Sequence, residues 1–234
     1  MSEWAPKRFW TDVTVGEATE GFAVQLDGKR VKTPAKRALV LPTRHVAEQV
    51  AAEWLAVEDR ITPETMPWTR SANAALDKVA AQRDEVTAHL IGYAASDLLC
   101  YRAADPASLV ELQNRTWDPI LAWCQSRYDV QLVTTSGVMP VTQPEGGLER
   151  LKRVMEPMNM FHVTAFHDLV TLSGSYVLAL VAIEQAWPIN EVWDASRLDE
   201  DWQAEQWGVD AEASEAADIK RAAFLHAAKL YQAA

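Results

Sequence analysis

FHVTAFHDLVTLSGSYVLALVAIEQAW, residues Phe161–Trp187, is the stretch whose reading decides the fold. Between Leu169 and Ile183 it carries no charge, and its apolar side chains fall on every side of a helical wheel. A helix that is apolar all round is buried. His167, Asp168 and Glu184 flank the run too closely for it to span a bilayer comfortably. The stretch therefore reads as the central core helix of a largely helical protein, with Gly174 letting a neighbouring backbone approach closely.

Toward the C-terminus the next segment changes character. WPINEVWDASRLDEDWQAEQWGVDAEA, residues 187–213, is rich in acid and in tryptophan. The whole chain has 234 residues and a net charge of −11. Glu184–Asp218 holds eleven acids against the single base Arg197, whereas Met1–His45 holds eight Lys/Arg against five Asp/Glu. An acidic field of this kind repels nucleic acid and anionic membranes and favours a basic partner surface. A solvated helical face would account for the charge alone. It does not account for four of the ten tryptophans, Trp187, Trp193, Trp202 and Trp207, lying in or beside the run. Trp187 and Trp193 are expected to pack in the core. For Trp202 and Trp207, set among acids, core packing and a place in a binding surface stay open as equal readings.

Before the decisive stretch the pattern is helical back to about Arg70, and mixed before that. Asp105-Pro106 reads as an N-cap followed by proline at the first helical position. Asp118-Pro119 predicts a kink or break in the helix that follows. Val130–Gln143 reads as extended, with room for a short hairpin, and Leu148–Met155 as an amphipathic helix. After Gly208 a last helix is expected, capped by Asp210. Among the first sixty residues, Gly21–Leu26 alternates like a strand and Asp27-Gly28 is a two-residue hairpin turn that pairs Val24 with Val31. Val13–Val15 and Ala38–Leu41 offer further strands, and a helix runs from Thr43 to about Asp59. Two prolines in Ile61–Trp68 mark the best boundary. The expected fold is α+β: a small N-terminal antiparallel β domain with one helix, residues 1–62, followed by a larger, mostly α-helical C-terminal domain, residues 63–234.

The chemistry of catalysis is missing from the sequence. No glycine-rich phosphate loop occurs, and Ser173-Gly174-Ser175 is not a nucleophile elbow. His162 and His167 are five apart, on different helical faces, so they do not form a helical zinc pair. The adjacent acids Asp199, Glu200 and Asp201 splay around a helix and cannot make a compact oxygen cage. Cys100 and Cys124 stand alone as buried hydrophobes in a chain suited to a reducing compartment. No enzyme activity, cofactor or metal is expected.

Several segments occur together in a telling order: Lys7-Arg8-Phe9-Trp10, LDGKRVKTPAK (Leu26–Lys36), Glu53-Trp54, MPWTRSANAALD (Met66–Asp77) and DLLCYRA (Asp97–Ala103). Gln113 with Trp117-Asp118-Pro119, GSYVLAL (Gly174–Leu180) and SRLDEDWQAEQWGVDAEA (Ser196–Ala213) follow. In this combination the chain resembles the assembly chaperones of the F-type ATP synthase, found in mitochondria and alpha-proteobacteria. The resemblance implies a non-enzymatic protein that binds the free α subunit of the synthase head and keeps it soluble until a β subunit replaces it. It also implies a functional acid in the LDEDWQ motif, matched to Glu200. The expected partner-binding set is Arg197, Asp199, Glu200, Asp201, Trp202, Glu205 and Trp207. Neither nucleic acid nor membrane insertion is expected. The protein should be a monomer in the bacterial cytoplasm, its organellar relatives residing in the mitochondrial matrix. Two other readings stay open: an acidic adaptor for a different partner, and a hydrolase using His162, His167 or Asp168.

Overall fold

The structure, a computed structural model, describes residues 6–137 and 139–234. It has the expected α+β class, a small antiparallel sheet near the N-terminus and a larger helical part. The chain divides into two compact units. One comprises residues up to Arg83 together with Asn159–Ala165 and Lys229–Ala234, and the other Asp84–Met158 with Phe166–Ala228. The break falls past the 62/63 boundary read from the prolines. Pro63–Thr65 forms a 3₁₀ turn inside the first unit and leads directly into the next helix.

In the first unit, β1 (Val13–Ala18) pairs with β2 (Gly21–Leu26), and β2 pairs on with β3 (Lys29–Arg30) and with β4 (Val40–Leu41), all antiparallel. Asp27 and Gly28 both have positive φ, 47° and 77°, as the two-residue turn requires. Val31 donates its amide to Val24 O at 2.9 Å, the pairing expected from the turn. Helix α1 (Arg44–Ala56) starts at Thr43, whose hydroxyl caps the Val46 amide, and it ends before Asp59. Helix α2 (Pro67–Ala74) runs on into a π-helical turn at Ala75–Val79, and the helical run from Arg70 is interrupted only at residues 80–82. Trp10, Val24, Leu41, Val46 and Val50 form a core closed by Phe161, Ala165 and Leu230 from distant parts of the chain.

Polar side chains tie this unit together from within. Glu53 accepts from the Trp68 amide at 2.7 Å and from the Thr69 amide and hydroxyl at 2.8 and 2.7 Å, filling the role of a cap for α2. Burial raises its carboxyl pKa, and these bonds work against that rise. Asp77 accepts from the Thr33 hydroxyl and the Ala35 amide.

The second unit contains α3 (Arg83–Ala95, from its second residue), β5 (Tyr101–Arg102) and α4 (Ala107–Tyr128). It continues with β6 (Thr135–Ser136), α5 (Glu145–Val154), most of α6 (Met160–Ser173), α7 (Tyr176–Ile183), α8 (Ile189–Ser196), α9 (Leu198–Trp207) and most of α10 (Ala211–Ala233). The decisive stretch is thus two helices, not one. Gly174 has φ 71° and ends α6, and Ser175 caps α7 through the Leu178 amide. Only a residue tolerant of left-handed backbone fits there, and the Leu98 amide bonds to the freed Gly174 carbonyl at 3.2 Å.

All eight residues of α7 are buried, and α4 and α8 pack on it. Asp97, fully buried, anchors its start. The carboxylate accepts from the Ser175 hydroxyl at 2.8 Å and from the Val177 and Leu99 amides at 3.0 Å each. Burial nevertheless pushes its pKa up to about 6.

Other expectations are corrected here. Pro106 is itself the cap position of α4, extended at ψ 161°, with no side-chain cap from Asp105. Of the two outcomes expected at Pro119, the break does not occur, since Pro119 lies inside an α4 that runs from Ala107 to Tyr128. The extended segment after Val130 forms no hairpin among the described residues: β6 pairs in parallel with β5, and the Gln143 side chain bonds both ways to the Val133 backbone. Asp210 does cap α10, accepting from the Glu212 amide at 2.9 Å. Cys100 and Cys124 are buried and unpaired, each thiol pushed up to about 12 by burial. No helix among the described residues is long and apolar enough to cross a membrane.

Candidate partner-binding site

Helix α9 carries nearly all the residues singled out for partner binding, and its base is held by α4. Trp117, fully buried, donates its indole N–H to Ala195 O near the end of α8 at 2.8 Å. Arg102 lies over the Trp117 ring, 5.2 Å from its centroid, and pairs with Asp118 at 2.9 Å. Gln113, also buried, accepts from the Ala103 amide at 2.8 Å and donates to Asp199 Oδ1 at 2.7 Å. The start of α9 is therefore fastened to α4 by an amide that has both its ends occupied.

This tether sorts the predicted residues. Asp199 faces inward and is bound to Gln113. Leu198 is the buried residue of the helix. Arg197 precedes the helix and pairs with Glu200 at 2.7 Å, the Glu200 side chain remaining half exposed. Glu200, Asp201 and Glu205 are exposed. The Asp201 pKa is raised, first by partial burial and further by Glu200, Asp194 and Glu205, while Arg197 opposes the rise. Trp207 is 75% exposed, and Val209 just beyond it is equally so. Trp202 is half-buried and meets Trp207 edge to face, ring centroids 5.9 Å apart. The helix ends at Gly208, φ 97°, which turns the chain toward α10.

The other tryptophans of the run behave differently. Trp193 is buried against Phe224, and Trp187 is half-buried and edge-on to Trp123. What α9 presents outward is an aromatic pair among carboxylates, an arrangement suited to a protein surface that is apolar and basic at its rim.

The catalytic candidates do not assemble in this way. His167 contacts Asp168 at 3.1 Å and lies near His89, and both members of the His167–Asp168 pair are substantially exposed. His162 packs on Tyr231, and burial lowers its pKa. No group of three or more His, Cys, Asp or Glu fit to hold a metal occurs among the described residues. The residue that sequence reasoning missed is Gln113. Its one signal was a place among the segments that carry the family resemblance, with nothing to connect it to an acid so far along the chain.

Comparison with known proteins places these features in context. A family model described as ATP12 chaperone protein matches residues 7–125, which include Arg102, Gln113 and Trp117 and stop before α9. The mitochondrial protein atp12 of Schizosaccharomyces pombe is 21% identical over 214 residues, covering 86% of this chain and 74% of that relative. The crystal structure of Atp12 from Paracoccus denitrificans matches at a TM-score of 0.94 and 42% identity, over 98% of this chain and 99% of that one. An aspartate-to-lysine mutant of the same P. denitrificans protein matches at a TM-score of 0.94 and 41% identity, over 99% of each chain.

Proposed function

The chain belongs to the ATP12 chaperone family, and from that premise we propose that it serves assembly of the F-type ATP synthase by holding the free α subunit until a β subunit replaces it. The observation that carries this reading is α9, where an exposed Trp207 and a half-buried Trp202 stand among Glu200, Asp201 and Glu205 on a helix fastened at its base. An unassembled subunit exposes apolar surface that would aggregate. Covering it reversibly calls for a few aromatic anchors for affinity and exposed charges for fast capture. Within the set named from sequence, Glu200, Asp201, Glu205, Trp202 and Trp207 meet the client, and Asp199 and Arg197 hold the helix in place. The role is non-enzymatic, and the protein works as a monomer in the bacterial cytoplasm.

Sedimentation velocity of this protein mixed with separately purified α and β subunits of the same organism's synthase tests the reading. A one-to-one complex with α alone, dispersed by added β, is the expected result. Absence of an α complex at micromolar concentrations overturns it. Glu200→Lys, at a half-exposed position, should weaken α capture and leave folding intact; unchanged capture at moderate salt removes Glu200 from the site.

A further inference from the structure

The first unit contains a groove of about 550 Å³ that none of the roles above uses. Leu26, Trp54, Ile61 and Met66 give it apolar walls, and Phe9, 73% exposed, stands at its edge. Lys29, Arg30, Lys32, Lys36 and Arg70 also line it, and no Asp or Glu does. None of these five cations forms a salt bridge among the described residues. Glu53, the carboxylate that feels Arg70, is turned to the Trp68 and Thr69 amides.

Lysines beside β3 would guard a sheet edge from pairing with another chain. That role explains neither the exposed Phe9 nor Arg70, which comes from α2. Solubility does not explain the cluster either, because the chain's net charge is −11 and these residues reduce its magnitude. A volume of this size lies in the range that holds ligands through apolar walls and a few placed charges.

We infer that this groove is a second docking surface of the chaperone, taking a short apolar peptide segment flanked by carboxylates. The inference rests on the proposed chaperone role only for the class of partner, a protein. Carboxylates at the segment's ends meet the lysines and arginines, and its apolar side chains replace water on the walls. Nucleic acid fits the same cations less well. Binding of single strands relies on aromatic rings open for stacking, and here only Phe9 is an exposed ring while the walls are largely aliphatic. The groove and α9 then read opposite charges on a client.

The test uses the full chain and two fluorescein-labelled peptides, Glu-Glu-Leu-Val-Leu-Phe-Glu-Glu and its counterpart with lysine at every glutamate, followed by fluorescence anisotropy. The acidic peptide should bind at least tenfold more tightly than the basic one. The double variant Arg30→Glu/Lys32→Glu, at exposed positions, should cut that affinity tenfold or more. Equal binding of both peptides overturns the inference, as does indifference to the charge reversal or equally tight binding of a twenty-residue oligothymidylate. Self-association of the chain that the double variant abolishes also overturns it, naming a second copy as the occupant. The α-subunit complex is measured in parallel with Trp207→Ala. Failure of the peptide arm alone sinks the groove, whereas failure to form any α complex sinks the client reading itself.

Discussion

Helices α7 and α9 are close in length and in sequence position, yet they are held by opposite means. α7 is apolar on all sides and wholly buried, and its start is pinned by Asp97 and Ser175. α9 is charged on most sides, buries Leu198, and is positioned by the Gln113–Asp199 bond. In α7 a side chain's worth is the water it escapes; in α9, on the function proposed above, it is the partner it can still meet. The contrast separates substitutions that unfold the protein from those that disarm it.

The sharpest way to break this contrast is Leu178→Ala in α7. Leu178 is fully buried, so its truncation should cost about 3–5 kcal/mol, from lost transfer energy plus the cavity left behind. Urea unfolding measures this, and α capture by the remaining folded molecules should be unchanged. A loss under 1 kcal/mol would mean α7 is not the centre of its unit.

A second effect, on the order of 2–3 kcal/mol, concerns Asp97. Its pKa is raised from 3.8 to about 6, so across that interval the folded chain binds more protons than the unfolded one. Stability contributed through this group is therefore greatest below the interval and is lost as pH rises through about 6. Asp97→Asn should lack this part of the slope. Unfolding midpoints of both proteins at pH 4.5 and pH 7 decide the point, and parallel behaviour would refute it.

The smallest expected effect, and the most specific, is that of Trp207→Ala. With the side chain 75% exposed, stability should move by less than about 0.5 kcal/mol. Capture of α should weaken by about 2 kcal/mol, roughly thirtyfold, as for a truncated aromatic anchor. If the unfolding midpoint drops as far as it does for Leu178→Ala, Trp207 is a packing residue and the contrast fails.

The parts legible in the sequence were those governed by neighbours. Asp27-Gly28 closes its hairpin, and Thr43 and Asp210 cap their helices, because each acts on backbone within a few residues. The division of α6 from α7 was hidden, since an all-round apolar run shows no change of period at Gly174 and only a positive φ reveals the stop. Asp105 looked like a cap, but the extended backbone of Pro106 takes that position. Within the candidate site, composition exposed the acids and tryptophans. It could not rank Asp199 against Glu200, because the difference is made by Gln113, 86 residues away. The same holds for the unit boundary, where Phe161 and Leu230 complete a core begun at Trp10.

That last feature bears on how the protein is made. The N-terminal sheet leaves the ribosome well before Leu230, 1% exposed in its core, and before Ala233, whose carbonyl accepts from Thr43 at 2.7 Å across 190 residues of chain. Until those residues have been made, the nascent first unit therefore waits with an unfinished interior. A member of a chaperone family thus begins with the kind of exposed apolar surface that invites aggregation, until Leu230 arrives to cover it.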